Sequence, residues 1–397
     1  MNIILFDDAT RSRLLPFTYT RPVADVRCGI MTMRERWEHI TGRKTSTLTI
    51  GYLQEVFPLQ AETDNIFING SVFATKIMFD VIRALNMGEK LVKEGVLVAY
   101  RCSEVNFDFE TQSSITSTLT KKQYPHPLYR INHKWDIFSQ NDRVIREDYK
   151  LLTEGRISAA VPEHVTIAGS DIFIEEGAFI NPGTIINAKE GPIYIGKDAE
   201  ILEGVMIRGP LAVGEHGVIK MGAKIYGATT IGEGCKVGGE ISNVVFFANS
   251  NKGHDGYLGN SVIGEWCNLG ADTNCSNLKN NYDEVQIWEE HENKMVKTGL
   301  IFCGLLMGDH SKSGINTMFN TGTVVGVSCN IYGGNFPDKF IPSFSWGGSE
   351  SMTSYRLDKA IETANRMMGR RKKHLSEAEE KMYQHIFEAT AKQRGDS

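Results

Sequence analysis

His254 is the residue from which chemistry is most readily built. It lies in Ala248-Asn249-Ser250-Asn251-Lys252-Gly253-His254-Asp255-Gly256-Tyr257-Leu258-Gly259, beside a lysine, an aspartate, a tyrosine and three glycines. A neutral imidazole takes a proton from an attacking amine or hydroxyl near neutral pH. Glycines let backbone N–H groups approach a ligand closely. Most loop histidines are solvated and inert, so the surrounding residues carry the argument. A second polar run, Gly308-Asp309-His310-Ser311-Lys312-Ser313-Gly314-Ile315-Asn316, mixes the same residue types. Read alone, it is equally well a set of turn residues.

Elements that can hold these runs are visible in the spacing of aliphatic residues. Ile195, Ile201, Ile207, Val213, Ile219, Ile225, Ile231 and Val237 fall six apart, and Ile174, Ile180 and Ile186 keep the step before an insertion at 188–192. The step returns at Ile263 and Leu269, and with gaps at Met307, Val325 and Ile331. Six fits neither a helix nor simple strand alternation. It fits a short strand plus a turn, with three such faces closing one coil of about 18 residues. The phase slips between Val237 and Ile263, which predicts a loop leaving the prism within 248–259. Residues 278–298 carry no repeat and predict a second excursion. Loops on a rigid scaffold are where function concentrates.

Upstream, 2–6, 65–70 and 95–100 read as buried strands, and 74–94 has apolar residues at helical spacing, which predicts a parallel α/β sheet. Residues 353–393 read as helical, with Ser376 and Glu379 forming a capping box. The basic run Gly369-Arg370-Arg371-Lys372-Lys373 reads first as a solvated face, with a phosphate or coenzyme A role as the alternative. The predicted organisation is α/β plus β-solenoid: 1–150, 151–346 and a helical tail over 347–397.

Composition limits the functions. The 397 residues carry 43 basic and 48 acidic side chains, a net charge of −5, which argues against a global field for nucleic acid. Seven cysteines without a CxxC argue against a disulfide framework or a zinc ribbon. No apolar run reaches the length of a membrane helix, and the first residues lack the pattern of a signal peptide. The expectation is a cytoplasmic protein without membrane or nucleic-acid partners.

His254-Asp255-Gly256-Tyr257-Leu258-Gly259 followed by Ile263-Gly264-Glu265-Trp266-Cys267-Asn268-Leu269-Gly270-Ala271 resembles the acetyltransferase domain of the bifunctional GlmU family. Each fixed position of H-x-x-Y-x-G-(x)3-I-G-x-x-x-N-x-G-A is met. The resemblance implies a left-handed hexapeptide β-helix that packs as a homotrimer. It also implies transfer of an acetyl group from acetyl-CoA to an amino-sugar 1-phosphate, with His254 as general base and Tyr257 and Asn268 on the sugar phosphate. Asn277 falls where the family has an asparagine beside acetyl-CoA, and Lys312 and Asn316 lie on coils that would carry the coenzyme. The family's lysines before the histidine are Ser242 and Asn251 here, which leaves the acceptor phosphate to Lys252 or Lys279.

The opening Asp7-Asp8-Ala9-Thr10-Arg11-Ser12-Arg13-Leu14-Leu15-Pro16-Phe17-Thr18-Tyr19-Thr20-Arg21-Pro22 resembles a bacterial branch of the same family, with a Rossmann-like nucleotidyltransferase domain. Its Arg13 to Thr18 matches R-L-x-P-x-T, while the glycine loop is absent and Gly70 is followed by Ser71 rather than a metal-holding aspartate. The resemblance implies nucleotidylyl transfer from an NTP with Mg²⁺ and makes Arg11, Arg13 and Arg21 candidates for phosphate contacts. Arginines tied to acids in a structural network are the competing reading, and no metal ligand is assigned. Two other functional classes stay open: a nucleotidylyltransferase with a structural or sensing solenoid, and a non-catalytic sugar-nucleotide sensor.

Overall fold

The structure is a computed structural model that describes residues 1–103, 109 and 111–396. The first unit is built on six strands, β1 (Asn2–Phe6), β2 (Ser46–Leu48), β3 (Asn65–Asn69), β4 (Glu89–Lys93), β5 (Val96–Cys102) and β6 (Thr120–Gln123), in the order β2-β1-β3-β5-β4-β6. β1 pairs in parallel with β2 and β3, but β5 runs antiparallel to both β3 and β4. The sheet is therefore mixed, which corrects the expectation of a parallel one. The cause lies within 74–94. Only the stretch up to Arg83 is helical; the chain turns at Gly88 (φ 81°) and enters β4, and Glu94 and Gly95, both at positive φ, close a hairpin into β5.

The helices of this unit are α1 (Thr10–Arg13), α2 (Met33–Thr41), α3 (Gly51–Gln54), α4 (Lys76–Arg83), α5 (Gln112–Thr118), α6 (Asp136–Ser139) and α7 (Asn141–Thr153). α2 starts on a reciprocal Thr32–Glu35 capping box and stops at Gly42 in the left-handed region. The tail folds as α8 (Leu357–Gly369), α9 (Glu377–Ala389) and α10 (Ala391–Arg394), and the Ser376–Glu379 box caps α9. Among the described residues no helix is long and apolar enough to cross a membrane.

Between these units the chain winds as a parallel β-solenoid. One sheet contains thirteen strands and another ten, each strand pairing in parallel with its equivalents on the coils before and after, apart from a final antiparallel pair. The six-spaced aliphatics point inward and form one cluster, Ile180, Ile201, Ile219 and Val237 among them, each nearly inaccessible. Burying each such side chain contributes roughly 1.5–3 kcal/mol, so the period specifies the register.

No loop leaves the prism within 248–259. A seven-residue strand, Glu240–Phe246, instead turns a corner with Asn243 at φ 57° and pairs with two successive faces below it, shortening that coil. The chain then re-enters the ten-stranded sheet at Asn251–Lys252, in register with Lys236–Val237. The inward position is filled by Lys252, which removed the aliphatic signal there. The excursion over 278–298 is present and forms an antiparallel hairpin, Gln286–Glu289 with Lys294–Lys297.

The two larger units share a core. Phe17, Trp135, Ile137 and Phe138 pack with Val245, Phe247, Val262 and Leu306 of the solenoid. The hairpin adds Lys134 to Glu289 at 3.0 Å, with both side chains buried, and Tyr19 donates to Glu290 at 2.7 Å.

Candidate active site

His254 occupies the corner between the strands Asn251–Lys252 and Tyr257–Ile263. Gly256 permits this corner: it sits at φ 109°, and a Cβ there would lie 2.4 Å from the carbonyl oxygen of Thr273. A Cβ on Gly253 would meet nothing nearer than Lys220 Cε at 4.0 Å, so the floor beside the histidine stays open.

Two clefts meet at His254. One, of about 700 Å³, lies on the outer face of the ten-stranded sheet and is closed on one side by the end of α8. Its wall includes Asn268, Asn251 and Trp266, and its cations are Lys220, Lys236, Arg370 and Arg371, with no carboxylate among the described residues lining it. The other, of about 610 Å³, opens at the corner and contains Asp255 and Asp272. Both include Lys220, Gly253, His254 and Ala271. Four unopposed cations in a concave site raise the local concentration of anionic ligands. Arg371 is fixed over Trp266 at 5.4 Å and donates to the carbonyl oxygen of Gly234 at 2.7 Å and to the side chain of Asn249. Asn251 Oδ1 is buried with no hydrogen-bond partner, an acceptor left open in the wall.

The residues singled out from the sequence separate into groups. His254 and Asn268 share the first cleft. Tyr257 and Asn277 lie together outside both clefts: Asn277 Nδ2 donates to Tyr257 Oη at 3.0 Å and to Asn260 Oδ1 at 2.7 Å. Lys252 is wholly buried, and its Nζ donates to three backbone carbonyls. It has no surface to offer a substrate phosphate, which corrects that expectation. Lys279 donates to Glu284 O at 2.6 Å within its own excursion, away from both clefts. Lys312 follows Asn268 in the outward register, donates to His310 O at 2.8 Å, and is pushed down to about 8 by burial. Asn316 is an exposed corner residue whose N–H donates to Ala271 O at 2.8 Å.

In the first unit, the carboxyl ends of β1 and β3 bring polar side chains together, the usual place for a ligand in such sheets. Arg13 donates to Asn132 O at 3.1 Å and Thr10 Oγ1 at 3.3 Å; Arg130 lies 3.3 Å from Asp8 and also donates to Thr10; Asn69 donates to Asp8 at 2.9 Å. Against the upward push of burial, Arg130 and the bonds from Thr10 and Asn69 hold Asp8 below its ordinary range. Asp7 is different: burial raises it to about 6, and it accepts from Val23 N–H and Thr49 Oγ1. Arg11 donates to Thr18 O at 2.9 Å and to Tyr52 Oη, and its Nε is buried without a partner.

Arg21 belongs to neither site. Its guanidinium grips Asp309 of the solenoid at 2.5 and 3.1 Å and approaches Glu265 at 3.3 Å, with Arg21 and Asp309 both buried. Of the two readings of this arginine, the structural network is the one formed.

Residues missed in the sequence are Lys220, Lys236 and, in the first unit, Arg130 and Asn132, whereas Arg370 and Arg371, read first as a solvated face with a phosphate or coenzyme A role as the alternative, line the cleft beside His254. Lys236 was findable in principle, because it holds the outward position next to Asn251 and Asn268 on successive coils. The helical tail gave no signal for where Arg370 would fold back.

The family model described as sugar nucleotidyl transferase matches residues 3–157. A protein of Sulfurisphaera tokodaii named bifunctional sugar-1-phosphate nucleotidylyltransferase/acetyltransferase is 35% identical over 147 residues, covering 36% of each chain. A bifunctional protein GlmU of Methanococcus maripaludis is 31% identical over 214 residues, 52% of this chain and 43% of that one. The chain spans less than half the length of these relatives. Among solved structures, the polySia-specific acetyltransferase NeuO aligns with 52% of this chain and 96% of its own at 17% identity and a TM-score of 0.27. UDP-N-acetylglucosamine acyltransferase from Campylobacter jejuni aligns with 58% and 96% at 15% identity and a TM-score of 0.26. Residues 3–157 thus match a sugar nucleotidyl transferase domain, a parallel β-solenoid and C-terminal helices follow it, and the chain is similar over part of its length to bifunctional GlmU proteins.

Proposed function

We propose that the solenoid transfers an acetyl group from acetyl-CoA to the amine of a sugar 1-phosphate, and that the first domain, within 1–150, joins a sugar 1-phosphate to a nucleotide. The supporting observation is the position of His254 where an acid-free cleft with four cations meets a corner cleft bearing Asp255 and Asp272. The cationic cleft suits a phosphate-bearing substrate. The two aspartates suit an ammonium.

His254 takes the proton as the amine attacks the thioester carbonyl. The C–N bond forms, the C–S bond breaks, and the proton passes to the departing thiolate. Donors aimed at the tetrahedral oxyanion would supply the largest stabilisation, and the glycine-rich corner exposes backbone N–H groups suited to it. In the first domain Arg13 and Arg130 are the cations for triphosphate oxygens. Asp8 is the carboxylate that would hold a Mg²⁺ bound together with the nucleotide, and the ion would offset charge on the phosphate oxygens. Relatives named for sugar-1-phosphate nucleotidylyl and acetyl transfer support a role in supplying UDP-N-acetylglucosamine or a similar sugar nucleotide for the cell envelope. A homotrimer in the cytoplasm fits the same reading. Ile185 and Met206, adjacent in register and both exposed, form an apolar face that a second copy would cover.

The test is a panel of amino-sugar phosphates with acetyl-CoA and NTPs, following thiol and pyrophosphate release separately. Thiol release with one acceptor, and pyrophosphate release with Mg²⁺, are expected. Absence of thiol release across the panel overturns the first half of the proposal. Light scattering should give about three times 44.3 kDa.

A further inference from the structure

Every coil of the ten-stranded sheet up to Val237 points an aliphatic side chain into the prism, and the next coil points Lys252. A lysine at such a position is costly unless its ammonium is satisfied. Here the stem replaces the aliphatic side chain, and Nζ donates to Gly238 O at 3.3 Å, His254 O at 2.9 Å and Asp255 O at 3.1 Å. Three donors meet three carbonyls, and two of these belong to the corner residues that carry the imidazole. The charged groups acting on this ammonium are Asp255 on its own corner and Asp272 one coil later, and Lys220 lines the two clefts beside Gly253.

We infer that Lys252 is a positioning residue: from inside the prism its ammonium clamps the corner and fixes His254 where the two clefts meet. The inference rests on reading His254 as the base, since an inert corner would have no need of a clamp. Neighbouring amides report on it, because Gly238 N–H donates to Lys252 O at 2.6 Å and Glu240 N–H to Gly256 O at 3.2 Å. The clamp also depends on pH. Burial pushes Lys252 down to about 8, so the three carbonyls hold the ammonium against the cost of burying its charge, and that cost falls away as the proton leaves above neutrality.

Hydrogen exchange on the full chain tests this, with protection corrected for intrinsic rates. In Lys252→Met at pH 7, Gly238 and Glu240 should lose at least about tenfold protection, the lower end for a charged hydrogen bond, while the coil of Ile201–Ile219 is unchanged. The wild type should gain protection at the same amides between about pH 8 and 9.5, because opening returns the amine to water, where it would take up a proton, and Lys252→Met should show no such step. Equal protection in the two proteins, or the same pH step in both, overturns the inference. If the variant does not fold, the wild-type pH series decides alone. In the acyl-transfer assay the variant should lose kcat and keep its KM for acetyl-CoA. If the wild type transfers no acetyl group, the reading of His254 as base fails, while the exchange data still decide whether the clamp exists.

Discussion

Removing Arg21 should destabilise the junction between the first domain and the solenoid rather than weaken nucleotide binding. Asp309 receives two bonds from Arg21, one from Thr20 Oγ1 at 2.7 Å and one from Glu265 N–H at 2.8 Å, while the Glu265 carboxylate lies 3.3 Å from Arg21. Burial already holds Glu265 above its ordinary value, with Arg21 pulling it down. Deleting one partner of a buried pair costs about 3–5 kcal/mol. Arg21→Ala should fall at the upper end, because it leaves two carboxylates facing each other with no cation in contact, Arg27 acting on Glu265 only from further off. Asp309→Ala should cost less, because Glu265 still faces Arg21. At about 2.1 cal/mol/K per residue, 397 residues unfolding together give an entropy near 0.8 kcal/mol/K, so Arg21→Ala should lower Tm by about 4–6 °C. Calorimetry on both single variants and the double variant reads the coupling, and the Arg21→Ala loss should shrink at acid pH, where a carboxylate can protonate. Additive single effects, or an unchanged Tm with lost pyrophosphate release, would refute the structural role and restore Arg21 to the nucleotide.

Lys252 gives a stability test with a definite sign. Its folded value of about 8 lies below the ordinary 10.5, so between these pH values the unfolded chain binds the extra proton and the fold gains as pH rises. The unfolding free energy of the wild type relative to Lys252→Met should therefore move by about 3 kcal/mol in favour of the wild type from pH 7 to 10.5; denaturant titrations showing a constant difference would contradict this. Lys236→Ala and Arg370→Ala should each raise KM for the phosphate-bearing substrate about tenfold, with the gap narrowing at high salt; steady-state kinetics at two ionic strengths measure this and show which substrate occupies the cleft. Arg13→Ala should cut pyrophosphate release about tenfold or more and leave thiol release unchanged, followed in parallel assays.

The solenoid was legible because Ile201, Ile219 and their equivalents obey one local rule, an inward aliphatic at each sixth residue. The rule failed at Lys252, where the inward residue is ionic and the coil is shortened at Asn243, so a corner read as a loop. The second half of 74–94 misled for a related reason. Short apolar segments satisfy helix and strand spacing alike, and Gly88 decided between them. Arg21 could not be assigned because its partner lies 288 residues away and only the packing of the two units brings them together. His254 and Asn268 were legible from their motif. Lys220 and Lys236 were not, since they come from different coils, and the basic run with Arg370 and Arg371 was visible without its place beside His254, which only the folding back of the tail sets.

The most direct test of the acyl-transfer site is the kinetics of His254→Ala with acetyl-CoA and saturating acceptor. A positioned general base contributes about 10²–10⁴-fold, so kcat should fall by that factor while KM for acetyl-CoA stays within about twofold, because a base acts in the transition state rather than on thioester binding. A variant that keeps near wild-type kcat would contradict the assignment and reduce the corner to a binding element.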